Sequence, residues 1–219
     1  MLDLKITKQR LKDHLYYSKW LYLVAAAIAL VIFSLIYQIA EPVVPKGLKV
    51  DIAVIGFSVD ETEKTVWEDD ILSILPEDQQ EVNIYSLALP TDDSSNGFAV
   101  YQILTAKMTA KEDDILILPK DLYLSFASQG AFLAVDDIVS RYELPEGLDL
   151  DEYKVAVTDE QTAQEPHLYG FPIDNISGFR DMGIDPEGKV MTILVYTENY
   201  TNVLKAADYI MNKTESASD

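Results

Sequence analysis

The chain has 219 residues, 48% of them hydrophobic, with a formal net charge of −20 and no cysteine. The missing cysteine excludes disulfides, thiolate catalysis, cysteine-held metals and a bacterial lipid anchor. The acidity disfavours nucleic acid, whose recognition needs a basic footprint.

The charge is unevenly spread. Residues 1–19 carry Lys5, Lys8, Arg10, Lys12 and Lys19 against Asp3 and Asp13, whereas 41–219 hold 12 basic and 35 acidic residues. This first segment reads as helical, with Leu11, Leu15 and Trp20 at helical spacing. Trp20 to Ala40, WLYLVAAAIALVIFSLIYQIA, follows with 21 residues and no Asp, Glu, Lys or Arg. As a helix it is about 31 Å long, the thickness of a bilayer's hydrocarbon core. Trp20, Tyr22 and Tyr37 fall where an aromatic belt would lie. A buried core helix is the alternative, and length and charge exclusion argue against it. A cleaved signal peptide is a second alternative, but its apolar core is usually shorter and Gln38 stands where a cut after Ala40 wants a small residue. The sequence therefore predicts one transmembrane helix over 20–40 in a single-pass cell-membrane protein, with the lipid bilayer as its first partner. The basic flank puts residues 1–19 in the cytoplasm and the acidic C-terminal domain outside. Glu41 to Gly47, EPVVPKG, is a short linker stiffened by Pro42 and Pro45.

From residue 48 strand and helix alternate. LKVDIAVIGF (48–57) reads as a strand, and 60–75 as a helix with Val66, Trp67, Ile71, Leu72 and Leu75 at helical spacing. Residues 82–87 form the next strand, and after the polar loop PTDDSSNG a helix runs over about 98–111. DILIL (114–118) is a short, doubly covered strand, followed by a helix to Ser128 and a short one over about 135–141. YKVAVT (153–158) and LYGFP (168–172) are strand candidates able to form a hairpin. KVMTILVY (189–196) is a last strand, 199–211 an amphipathic helix, and 213–219 a disordered tail. This alternation predicts an α/β fold over 48–212, with an open, mainly parallel sheet flanked by helices.

The stretch DDILILPKDLYLSFASQGAFLAVDDIV (113–139) resembles the strand-plus-helix segment of bacterial extracellular solute-binding proteins of the maltose-binding type. LYGFPID is similar to the segment with which that family returns to its first lobe, VDIAVIGF to its opening strand, and TENYTNVLKAADYIM to its late helix. The resemblance covers about 48–212 and implies one periplasmic-binding-protein-like lobe. It also departs from the family pattern: only 17 residues (173–189) separate Pro172 from Val190 of the final strand, too few for the second lobe that closes on a solute.

In an open α/β sheet, ligands sit at the carboxyl ends of strands. That rule selects Ser58 and Asp60 after the first strand, Thr91 and Asp92 after the second, and Pro119, Lys120 and Asp121 after the third. Ser58, Asp60 and Asp121 can equally cap helices, and Lys120 can be a solvated lysine. Enzymatic chemistry is not expected. His167 is the one histidine after the apolar run, and no G-x-S-x-G elbow occurs. No cofactor is expected and no metal site: LDLDEY, with Asp149, Asp151 and Glu152, lacks the glycine and terminal glutamate of a calcium loop. The sequons at Asn175, Asn199 and Asn212 fit the glycosylation pattern. Two functions follow. The first is a non-enzymatic, membrane-anchored lobe docking a partner protein of a membrane complex through its strand-end face. The second is a solute sensor or transporter accessory whose lobe forms a homodimer to complete a cleft for a small-molecule solute.

Overall fold

The computed structural model describes residues 8–40, 44–56, 58–87, 95–142, 144, 147–159, 162–163 and 165–213; side chains within helices and strands are described except at 8–15, 17–18, 35–40, 95–98, 158–159 and 162–163. The chain divides into two units, Met1–Val43 and Val44–Asp219.

The described part of the first unit is one helix, α1 (Lys8–Ala40), of 33 residues. Residues 8–19 of the basic segment and the apolar run thus share a continuous backbone. Trp20, Leu21, Leu30 and Phe33 are each about 70% exposed. The expected transmembrane helix is not shown: among the described residues no helix is long and apolar enough to cross a membrane. The described side chains of α1 end at Ser34, short of Ala40.

The second unit is built on a five-stranded sheet. Its strands are β1 (Lys49–Ile55), β2 (Glu81–Leu87), β3 (Ile115–Pro119), β8 (Phe171–Pro172) and β9 (Lys189–Ile193), in the order β2-β1-β3-β9-β8. β1 is its central parallel strand, and Val50, Ile52, Ala53, Val54 and Ile55 are all at most 1% exposed. That is why the strand reads as an apolar run interrupted only by Asp51. Helices α2 (Glu61–Ile74) and α3 (Ser95–Ala110) make the crossovers on either side of β1, followed by α4 (Lys120–Ala127), α5 (Asp136–Val139) and the closing α6 (Tyr200–Met211). Trp67 of α2 meets Tyr209 of α6 edge-on at 5.9 Å, and Tyr101 of α3 stacks on Phe126 of α4 at 4.6 Å. Right-handed crossovers with the order β2-β1-β3 put these helix pairs on opposite faces of the sheet.

The sheet is mixed, not mainly parallel. β2, β1 and β3 are parallel, but β9 runs antiparallel to both β3 and β8. The 16 residues before β9 (173–188) follow the carboxyl-end rim instead of crossing the sheet through an α-helix, so β9 must enter from that rim and run against β3. YKVAVT and LYGFP do meet, as β4 (Lys154–Val155) against β7 (His167–Leu168), but Phe171–Pro172 leave that hairpin for the main sheet. Between them, β5 (Thr158–Asp159) and β6 (Thr162–Ala163) form a second small hairpin. Tyr123 of α4 holds this region together. Its buried hydroxyl donates to the Tyr153 carbonyl at 2.5 Å and accepts the Tyr169 amide at 3.1 Å, and burial pushes its phenol up to about 12. Lys213, placed by the sequence in the tail, is tied in through Asp70 at 3.1 Å; residues 214–219 lie outside the described residues.

Candidate functional site

The candidate face is the rim where β1 and β3 end and β9 begins. Ser58 is exposed in the turn after β1. Asp60 is the N-cap of α2: its carboxylate accepts the Thr62 amide at 2.9 Å and the Glu63 amide at 3.1 Å. Glu61 and Glu63 add negative charge to the same first turn, where the helix dipole favours it. The capping role proposed for Asp60 is therefore the one it performs. Thr91 and Asp92 lie outside the described residues.

After β3, the extended backbone of Pro119 precedes α4 without a side-chain cap, so Asp121 is not the cap. It sits exposed in the first turn, because the helix begins one residue earlier, at Lys120. Lys120 is not a free cation. Its ammonium lies 2.7 Å from a Glu152 carboxylate oxygen and 4.0 Å from the centroid of the Tyr153 ring. The hydrogen bond to Glu152 raises the lysine's pKa and lowers the carboxylate's. Asp149 and Asp151 are likewise engaged, Asp149 accepting the Asp151 amide at 3.0 Å and Asp151 lying 2.7 Å from Lys154. Among the described residues no group of three acidic, histidine or cysteine side chains is arranged to hold a metal ion. His167 Nδ1 stands 3.3 Å from Asp136.

The sequence reading did not anticipate what segment 173–188 does. Ile173, Ile176, Phe179, Met182 and Ile184 are all buried. Phe179 packs on Trp67 at 5.2 Å, and the Gly178 amide donates to the Lys213 carbonyl at 3.3 Å. From there the segment passes both helix starts. The Asp60 amide donates to the Met182 carbonyl, and the Lys120 amide to the Gly188 carbonyl, each at 3.0 Å. Gly188 has a positive φ of 67°, a left-handed turn that glycine makes without strain, and its own amide donates to Asp174 at 2.9 Å. The backbone donors that a helix N-terminus would offer an anion are thus occupied at these two amides. Lys189, buried opposite Pro119 in the ladder, completes the rim. Burial lowers its pKa, opposed by the charges of Asp185, Asp174 and Glu187. The outer surface is an open depression of about 470 Å³ lined by Arg180, Gly183, Ile184, Asp185 and Glu187.

Of the residues chosen from the sequence, Ser58, Asp60, Pro119, Lys120 and Asp121 share this rim. Met182, Gly188 and Lys189 carry no side-chain signal for this rim, and Glu152, weighed from the sequence only as a metal ligand, is instead the partner of Lys120. In the sequence the turn signals ISG and DPEG predict a loop over 174–189, but not what its carbonyls accept.

No protein family matches the chain, and neither does any curated protein. Solved structures do match in part. One is an N-glycan transport solute-binding protein of Streptococcus pneumoniae in complex with Man5GlcNAc, 14% identical over 57% of this chain and 24% of that one, with a TM-score of 0.38. Another is an ABC substrate-binding protein of Listeria monocytogenes in complex with cycloalternan, 10% identical over 56% and 28%, with a TM-score of 0.34. A third is an extracellular solute-binding protein of family 1 from Alicyclobacillus acidocaldarius, 14% identical over 61% and 28%, with a TM-score of 0.33. The chain spans about a quarter of the length of these structures.

Proposed function

We propose that this protein is a non-enzymatic, membrane-anchored binding lobe that docks a partner protein through its strand-end face. The observation that carries this reading is the course of 173–188. It fills the rim with its own buried side chains and takes up the amides of Asp60 and Lys120, so recognition there falls to a surface and not to an enclosed pocket. A ligand pocket buries most of its ligand, whereas the depression at Arg180 and Ile184 is open.

Helix α1 is the proposed anchor. Its described side chains from Lys19 to Ser34 are exposed on every side, and an all-round apolar helix in water is unfavourable without lipid or partner helices. The basic flank orients the N-terminus to the cytoplasm and the domain to the extracytoplasmic side. Protease added to spheroplasts is then expected to remove the domain while an N-terminal tag stays protected; loss of the tag with the domain protected would reverse the topology.

The full-length protein purified in mild detergent is expected to carry a second polypeptide in fixed ratio, with recovery falling about tenfold in Arg180→Glu, the effect of losing about 1.4 kcal/mol of binding. A homodimer without a second polypeptide, whose melting temperature rises with added oligosaccharide, would favour solute capture by dimerisation instead.

A further inference from the structure

The opposite rim of the sheet gathers three aspartates. Asp51 of β1 accepts from the Asn83 side chain at 3.0 Å and lies 2.6 Å from Lys49. Asp114, at the mouth of β3, accepts the Asp51 amide at 3.1 Å and the Thr197 hydroxyl at 2.5 Å. Asp113 is different. It is 2% exposed, and neither carboxylate oxygen has a hydrogen-bond partner among the described residues. The nearest cation is Lys107 of α3, whose ammonium is 3.5 Å from Asp113 Oδ1. That ammonium is already engaged, 2.7 Å from Glu112 and 4.6 Å above the Tyr85 ring. The remaining groups around the cluster are Lys46, held by the Ala110 and Lys111 carbonyls, and Tyr196, which follows β9 and feels the charges of Asp113 and Asp114.

A buried, unbonded carboxylate is costly when ionised and far less so when protonated. We propose that Asp113 and Lys107 form a proton-operated latch between the last turn of α3 and the sheet. With Asp113 protonated, Lys107 serves Glu112. When Asp113 ionises, Lys107 moves the short distance to it, releases Glu112 and draws the end of α3 against β3. Burial, and then the negative charges of Asp51 and Asp114, push Asp113 up to about 7 against the pull of Lys49 and Lys46, so the latch operates in the neutral range. The folded protein holds this proton at pH values where the unfolded chain, near the ordinary value of about 3.9, has lost it. Asp113 therefore makes stability fall as pH rises from about 4 to about 7 and level off above.

The test uses the full chain in mild detergent. The melting temperature of wild type is expected to fall as the pH is raised from 5 to 7. Asp113→Asn is expected to lose that part of the slope and to melt above wild type at pH 8. Infrared spectra of wild type should show a protonated carboxyl band that disappears near neutrality, a readout that stands even if Asp113→Asn does not fold. Hydrogen exchange in 105–110, corrected for intrinsic rates, should change across the same pH range in wild type and not in Lys107→Met. A carboxyl titrating only near pH 4, an unchanged slope in Asp113→Asn, or the same exchange change in Lys107→Met would each overturn the latch.

Discussion

Trp67→Ala is expected to cost the α/β unit about 3–5 kcal/mol, the range for removing a large aromatic side chain from a packed core. Trp67 is 1% exposed and lies where three segments meet: its own helix α2, Phe179 of the rim segment at 5.2 Å and Tyr209 of α6 at 5.9 Å. Since domains are stable by only about 5–15 kcal/mol, the variant should stand near the edge of folding. The check is urea denaturation followed by circular dichroism, because the substitution removes one of the two tryptophans. Trp67→Phe should lose less. It keeps a ring for Phe179 and discards an indole N–H that has no hydrogen-bond partner among the described residues. A loss under about 1 kcal/mol for Trp67→Ala, the size of an average substitution, would mean that the rim segment does not depend on this contact.

Gly170→Ala is the second large effect. Gly170 lies between β7 and β8, pressed against β9. An added Cβ would come within 2.6 Å of Val190 Cγ1 and 2.9 Å of both the Met191 carbonyl oxygen and Thr192 Cγ2. One of those contacts is backbone inside the ladder, so β8 must move away from β9. Overpacking of this kind costs about 1–3 kcal/mol. The variant should melt lower and exchange its Phe171 and Met191 amides, paired across β8 and β9, faster, with α2 little affected. Wild-type exchange at both amides would show that β8 tolerates the displacement.

Much of the α/β unit was legible because local signals agreed. Asp60 before a run with Trp67 and Ile71 at helical spacing marks α2 correctly to within a residue, and DILIL flanked by Asp113 and Pro119 marks β3. The direction of β9 was not legible. A strand buried on both faces carries the same apolar run whichever way it points, and only the path of 173–188 decides its orientation. The two-residue strands β4 to β8 are too short to show a period. At the candidate site, the strand-end rule reached Asp60 and Lys120 but not their partners. Met182 is 122 residues from Asp60 along the chain, and a backbone carbonyl leaves no mark in a side-chain pattern. Asp113 could have been found. Adjacent residues of a strand point to opposite faces, so two acids entering a doubly covered strand force at least one of them inward.

Docking of a protein at the membrane is proposed for the strand-end face. Its most direct test is a photo-reactive side chain placed at Arg180 in the full-length protein in intact cells, with the same group at the exposed Ile103 of α3 as the control. One adduct of constant mass with another polypeptide is expected from position 180 and none from 103. Equal adducts from both positions, or cross-linking at 180 only to a second copy of the chain, would contradict the proposal.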